Sequence, residues 1–313
     1  MIGWFSRNVD KTLQLGVCAA HGGLGAAVVK HDAGSPPRLQ WTMHFEGEEG
    51  LRGLSSLAQQ RKARGIGAVT TLSHDEYTLV MVDQPDVPPA EMRAAVRWRL
   101  NELLDFHVDD AVVDIFDVPG SAGARSNRVY AVAARSAAIR RAVDEFTASG
   151  LSLAVIDIPE FALRNLAERL PEDANGVAVI ALEAERGIMT ITRQSDLYLS
   201  RRLDFGTARL FGAGPVVDAA NEGVFDGLVI EIQRSLDYYE RHFGQNPIQT
   251  IVLAPCAVPL AAARAYLQSQ LGVTVREMDL NQLLASSEAL DAATQAHCLL
   301  AIGSALRREE VTL

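Results

Sequence analysis

The sequence predicts a two-lobed α/β fold, and three observations carry that prediction: a duplicated three-strand pattern, an alternation of helices and strands after the second copy, and a length beyond one core. The first copy runs from Leu13 to Phe45 as LQLGV, a loop CAAHGG, LGAAVVK and RLQWTMHF. The second runs from Val177 to Phe205 as VAVIAL, a loop EAERG, IMTITRQ and LYLSRRLDF. Each reads as an antiparallel meander whose first strand feeds a Gly-containing hairpin. At 313 residues the chain calls for two lobes of roughly 150 residues each.

Duplication of this kind is the mark of the actin-like (ASKHA, ribonuclease H-like) fold, in which each lobe opens with a meander whose first hairpin can cradle a phosphate. After the first meander, apolar Leu51, Leu54, Leu57 and Ala58 predict a helix over 49–62 ending near Gly65. Strands follow at Gly67–Leu72 and Tyr77–Val82, and the proline-rich 83–89 is a stiff turn. A block with its own rhythm comes next: helix Ala90–Leu104, strand Ala111–Val118, strand Arg128–Ala134, helix Ser136–Ser149 and strand Leu151–Ile158. The first of these helices gathers Met92, Ala95, Val96, Leu100, Leu103 and Leu104 on one face. The second has Ser136 at its N-cap and Gly150 where a left-handed C-terminal residue belongs. The block reads as a small α+β subdomain inserted into the first lobe.

Pro159 then starts a connecting helix. Beyond the second meander, a Gly-rich connection 206–223 leads to the longest helix, Val224–Phe243, and strand Thr250–Ala254, helix Val258–Leu271, strand Val273–Glu277 and helix Ala292–Arg308 complete an alternating pattern. Gly303, inside the last helix, marks a close helix approach. The expected boundaries are 1–86 for the first lobe, 87–158 for the insertion, 159–175 for the connecting helix and 176–313 for the second lobe.

Composition, 48% hydrophobic and 22% charged, is that of an ordinary globular protein. The net charge of −10 argues against nucleic acid as a partner. The lysines are Lys11, Lys30 and Lys62, none in a P-loop string. Cys18, Cys256 and Cys298 are isolated and expected to be reduced, buried and inert. The seven histidines never stand at i, i+4, so sequence spacing offers no metal site, and His21 reads as a hairpin-turn residue. The opening segment, with Trp4 and Phe5, is charged too early for a signal peptide and is expected to pack on the first lobe. No stretch reaches the roughly 20 apolar residues of a spanning helix, so a cytoplasmic protein is expected.

Several segments then occur in a telling order: Val87-Pro88-Pro89-Ala90-Glu91-Met92 with Ala95-Val96-Arg97-Trp98 and Phe106; Val129 to Arg135; Gly150-Leu151 with Ile156-Asp157-Ile158; Glu160 to Leu163; Glu231 to Tyr239; and Leu300 to Arg307. Together they resemble the PilM-like proteins of type IV pilus assembly, most closely the MshI branch associated with mannose-sensitive haemagglutinin (MSHA) pili. The resemblance spans nearly the whole chain. It implies an actin-like fold, and a groove beside the inserted subdomain that takes the N-terminal cytoplasmic tail of a bitopic membrane protein of PilN or MshJ type. It also implies a cytoplasmic protein held at the inner membrane through that partner, with a pilus motor ATPase as a further contact. The groove residues it points to are Arg97, Trp98, Glu102, Phe106 and Arg135. Arg99 stands where many relatives carry an acid.

The resemblance also bears on nucleotide chemistry. Actin-like sites hold Mg-ATP between two phosphate hairpins and an adenosine loop, with carboxylates around the metal. Where the family has Asp-x-Gly, the first hairpin reads Val17 to Gly23 with no acid, leaving Ala20, Gly22 and Gly23. The second reads Ala181-Leu182-Glu183 with Glu185 following. Pro255-Cys256 replaces the adenosine-loop glycines, removing an N–H and fixing φ. Glu231 and Arg234 of the long helix remain for weak nucleotide contact. A vestigial site without ATP hydrolysis, no catalytic residue and no required cofactor is expected, and the function is that of a scaffold. An active ATPase or kinase on the same fold is the alternative, and a filament-forming element a third reading.

Overall fold

The computed structural model describes residues 12–20, 22–47, 50–60, 63, 65–119, 128–212 and 214–308. The opening segment with Trp4 and Phe5, the turn residue His21, Lys62 and most of the loop after Asp117 lie outside the described residues. The chain divides into two compact units, Leu72–Glu145 and the remainder.

The larger unit opens with β1 (Leu13–Ala20), β2 (Gly23–Lys30), β3 (Arg38–Glu46), α1 (Gly50–Gln60) and β4 (Gly67–Thr71). The smaller unit holds β5 (Tyr77–Asp83), α2 (Pro89–Leu100), β6 (Ala111–Asp117) and β7 (Arg128–Arg135), and α3 (Ser136–Ser149) carries the chain back. There follow β8 (Ser152–Asp157), α4 (Pro159–Ala167), β9 (Val177–Leu182), β10 (Gly187–Arg193), β11 (Asp196–Leu203), α5 (Thr207–Phe211) and α6 (Glu222–Phe243). The chain ends with β12 (Thr250–Leu253), α7 (Ala261–Leu271), β13 (Thr274–Glu277), α8 (Leu280–Leu283), β14 (Ala285–Ser286) and α9 (Ala292–Ala305).

The duplication seen in sequence is a duplication of topology. One sheet runs β14-β3-β2-β1-β4-β8 and the other β11-β10-β9-β12-β13. Apart from the added β14, both read third, second, first, fourth, fifth: an antiparallel meander extended by two parallel strands. The central strands are apolar on both faces because both are covered, with Val177, Ala178 and Val179 all fully buried.

Helices α4 and α9 form the layer between the two sheets. Leu163 and Leu166 of α4 and Ala301, Ile302 and Ala305 of α9 share one core with Ala27 and Val29 of β2 and Val177 and Val179 of β9. The outer face of the first sheet is closed by α1 and Phe146, through Leu54 and Leu57 against Leu15 and Val17. The outer face of the second is closed by α6 and α7, through Phe225, Ile232 and Leu267 against Ile180 and Met189. Gly303 does mark a close approach, since a Cβ there would lie 2.3 Å from the Ala162 carbonyl oxygen. Asn165 Nδ2 donates to the Gly303 carbonyl at 2.9 Å, across the same contact.

The smaller unit is a three-stranded antiparallel sheet, β5-β7-β6, with α2 against it. Met92, Val96 and Leu100 of α2 pack with Val82, Ala111, Val129, Ala131 and Ala133.

Several expectations are corrected. Strand β5, assigned from sequence to the first lobe, pairs with β7 in the small sheet, and β8, assigned to the insertion, runs parallel to β4 in the large one. Both strands alternate or run apolar equally well in either place; only pairing distinguishes them. The first hairpin loop is shorter than CAAHGG, because β1 continues through Cys18 to Ala20, where it pairs with Gly23. Cys18 is buried within this strand, with its Sγ 3.3 Å from Ser304 Oγ of α9. Helix α2 stops at Leu100, so Leu103 leaves the apolar face and is exposed. Helices α5 and α8 and strand β14 are too short to carry a period.

Candidate functional site

The candidate docking residues all lie in the Leu72–Glu145 unit. Helix α2 begins with Pro89 at its first turn and buries Met92, Val96 and Leu100, spaced by four. That spacing turns Trp98 outward, and it is 81% exposed. Trp98 is therefore not packed into the unit's core. Arg97, on a different side of the helix, is engaged within the unit: Nη2 donates to Val108 O at 2.6 Å and Nη1 to Ala111 O at 3.2 Å. Asp109 adds an ion pair at 3.6 Å. Arg97 therefore braces the turn before β6, and its guanidinium faces carbonyls of its own chain.

Phe106 and Arg135 come together. The guanidinium of Arg135 lies 4.2 Å from the Phe106 ring centroid and donates to Asp105 Oδ2 at 3.0 Å. Arg135 is also the register partner of Ala111, the residue that Arg97 grips, so Arg97, Phe106 and Arg135 converge on the start of β6. Glu102 is exposed past the end of α2. Arg99 donates to the Asp83 carbonyl at 2.7 Å, tying α2 to β5. Sequence reasoning placed Leu103 on the apolar face of its helix and gave Val112 and Val143 no part in the groove; all three are exposed, and with Trp98 they make four of the six large exposed hydrophobics among the described residues. The signal for Leu103 was present only in the helix end, which periodicity does not mark.

The candidate nucleotide residues lie in the larger unit and are spread over several elements. Ala20 and Gly23 close the β1–β2 hairpin around a two-residue turn. Gly22 has φ of +78°, which favours glycine in the turn itself. A Cβ on Gly23 would meet the Phe45 carbonyl oxygen at 2.0 Å. Both glycines thus have a backbone reason to be glycine without a phosphate.

In the second hairpin the Glu183 amide donates to Arg186 O at 2.8 Å. The Glu183 and Ala184 carbonyls accept from Thr207 and Ala208 at 2.7 and 2.8 Å. Gly206 fits against that loop so closely that a Cβ would meet Ala184 O at 2.3 Å. The Glu183 amide and these two carbonyls are satisfied by the protein itself, and the Glu185 side chain is exposed. Pro255 follows β12, whose Leu253 pairs with Ile180, so Pro255 and Glu183 stand at the same end of neighbouring parallel strands. Glu231 and Arg234 pair with each other at 3.3 Å on an exposed side of α6. Burial pushes the Cys18 and Cys256 thiols up, chiefly by desolvation, and Cys298 is pushed up to about 12 by the same cause. These thiols stay protonated at neutral pH and are poor nucleophiles.

No helix among the described residues is long and apolar enough to cross a membrane. A family model described as "Type IV pilus assembly protein PilM" matches residues 67–212. No curated protein sequence matches the chain. Among solved structures, a "PilM-PilN type IV pilus biogenesis complex" superimposes with a TM-score of 0.74 at 21% identity, over 94% of this chain and 97% of that one. The cytoplasmic domain of EpsL, an inner-membrane component of the type II secretion system of Vibrio cholerae, gives 0.51 at 12% identity, over 95% and 96%. A Bacteroides thetaiotaomicron protein described as having an actin-like ATPase fold gives 0.50 at 8% identity, over 90% and 96%. The fold is therefore actin-like, and residues 67–212, which take in the whole of the small unit, are similar to PilM.

Proposed function

We propose that this protein is a PilM-like scaffold of a type IV pilus assembly platform, of the MshI branch that serves MSHA pili. In this reading its Leu72–Glu145 unit binds the N-terminal cytoplasmic tail of a PilN- or MshJ-like membrane partner. That partner holds the protein at the cytoplasmic face of the inner membrane, and a pilus motor ATPase is a second contact. The observation that carries the reading is the exposed Trp98, a large aromatic in the same unit as the Phe106–Arg135 pair, within the stretch that matches the PilM family model. An extended tail needs an apolar anchor point and a few polar groups for its backbone, and exposed aromatics with arginine are the residues that dominate such interfaces. The nucleotide hairpins are vestigial in this reading, supported by the fold reasons found for Gly22 and Gly23 and by the lack of an acid in the first hairpin.

The test is binding of a fluorescent peptide with the sequence of the partner's cytoplasmic tail. Trp98→Ala is expected to weaken it by about 2 kcal/mol or more, the loss typical of an aromatic anchor, while leaving the melting temperature unchanged. Arg97→Glu is expected to lower both binding and stability, since it breaks the brace to Val108 and Ala111. Full affinity in Trp98→Ala would move the docking site off α2.

A further inference from the structure

We propose that His44, Glu46 and His297 form a binding site for a borderline divalent transition metal of the Zn²⁺ class, clamping α9 to β3. The proposal stands apart from the docking reading, since these residues belong to the larger unit.

The site is a product of strand alternation and one bare backbone position. His44 and Glu46 are two residues apart on β3, so their side chains leave the same face of the sheet. Their register partners on β2 are Gly25 and Gly23. Gly25 presents no side chain, and α9 settles onto it: a Cβ there would lie 2.1 Å from the His297 carbonyl oxygen. That close approach sets His297 over the neighbouring strand, where its ring stacks on His44 with centroids 4.8 Å apart and planes within 7°. One ligand atom from each of His44, Glu46 and His297 lies within 4.8 Å of the others. The set is assembled from positions 251 residues apart in sequence (297 − 46), which is why histidine spacing alone showed nothing.

The donor set selects the ion. Two imidazole nitrogens and one carboxylate suit Zn²⁺, Co²⁺ or Ni²⁺, whereas Mg²⁺ and Ca²⁺ want oxygen ligands throughout. With metal–ligand bonds of about 2.0–2.1 Å, tetrahedral ligand atoms stand about 3.3 Å apart. The present spread closes to that by rotating the side chains, of which Glu46 is exposed and the two histidines half-buried. Asp291 contributes negative charge nearby. It caps α9 by accepting from Thr294 N at 2.7 Å, and its carboxyl is held below the usual range mainly by the hydrogen bonds from Thr294, with His44 near enough to add to the effect. Cys298, next in sequence, is not a ligand: it is buried and its Sγ points to the Met43 carbonyl. Three protein ligands leave at least one coordination position for water or a donor from another molecule.

The experiment uses the full chain without a histidine tag, stripped with EDTA and dialysed. Zn²⁺ affinity is read by competition with a chromophoric chelator, and Co²⁺ is added separately for its visible absorption. One equivalent is expected to bind, with Co²⁺ bands of a low-coordinate nitrogen–oxygen site and a higher melting temperature in Zn²⁺ than in EDTA. His44→Ala, His297→Ala and Glu46→Gln should each weaken Zn²⁺ by at least about tenfold, since even outer partners of metal ligands are worth that much. Glu46→Gln is exposed and keeps the fold, so its loss of affinity is not a loss of structure; His242→Ala, on α6, should change nothing. Absence of saturable one-to-one binding overturns the proposal, as does Zn²⁺ binding that survives both His44→Ala and His297→Ala.

Discussion

At the scale of single residues, the Asp157–Arg307 pair shows how burial and charge contend. Asp157 closes β8 and accepts from Ile158 N at 2.9 Å and from Arg307 Nη1. The two side chains are only 7% and 13% exposed. Burial pushes the Asp157 carboxyl up, and Arg307 is the strongest of the groups pulling it back down. Arg307→Met leaves that carboxylate buried without its guanidinium, which costs about 3 kcal/mol or more near neutral pH. The sign with pH is fixed: a carboxyl whose folded pKa lies above its unfolded value binds more protons folded than unfolded between the two. Its unfavourable contribution therefore fades as pH falls through the raised folded pKa toward 3.8. Denaturant melts at neutral and mildly acidic pH should show the Arg307→Met deficit shrinking on acidification. A deficit that is the same at both would mean that Asp157 is not the group left exposed to the loss. Glu172 behaves in the opposite sense, its carboxyl held down first by its two 2.7 Å hydrogen bonds from Arg276; that stabilisation is present above pH 4.5 and fades as acid reaches the lowered pKa.

At the scale of elements, the packing of α4 on α9 holds the two sheets to one central layer, and Gly303 decides how close the helices come. Alanine is the better helix former by about 1 kcal/mol, so propensity alone predicts that Gly303→Ala stabilises. A Cβ at 2.3 Å from the Ala162 carbonyl oxygen and 3.0 Å from its Cα meets backbone, which cannot rotate away. The clash wins, and the net loss should be about 1–3 kcal/mol, the usual scale of overpacking. Gly223 in α6 is the matched control, since a Cβ added there would have nothing within 4 Å, so Gly223→Ala should be neutral or slightly stabilising by thermal melting. Stabilisation by both would remove the close approach as the reason for Gly303. This glycine was legible in sequence because it interrupts a helical pattern. The partner it meets was not, because α4 and α9 are separated in sequence by everything from β9 to β14. Helix Ser136–Ser149 was also legible to the residue, bounded by a serine and Gly150. Strands β5 and β8 were legible as strands but not as members of a given sheet, since alternation fixes a face and never a neighbour. Of the residues assigned to the groove, Trp98 is exposed, whereas Arg97 is turned to its own chain by carbonyls at Val108 and Ala111 that no local pattern predicts.

At the scale of the whole molecule, the question is whether an actin-like body that keeps both meanders still binds nucleotide. The fold places the β1–β2 hairpin and the β9–β10 hairpin at matching positions of two like sheets, so shape alone argues for binding. The chemistry argues against it. The turn of the first hairpin carries no acid, the Glu183 amide is bonded within the second hairpin, Pro255 offers no N–H, and Glu231 and Arg234 pair with each other. Ligand that binds only the folded state raises stability by about 2.7 kcal/mol at a hundred times its dissociation constant, a change thermal melting reads easily. Millimolar Mg-ATP is therefore expected to leave the melting temperature of this protein unchanged and to show no phosphate release. Ala181→Asp restores one acid of the second hairpin, at a half-buried position in β9, and is expected to remain without turnover because the first hairpin still lacks its own. A clear upward shift with Mg-ATP in the unaltered chain, saturating and reversed by EDTA, would show that the two hairpins still hold a triphosphate and that the scaffold reading omits a nucleotide-dependent state.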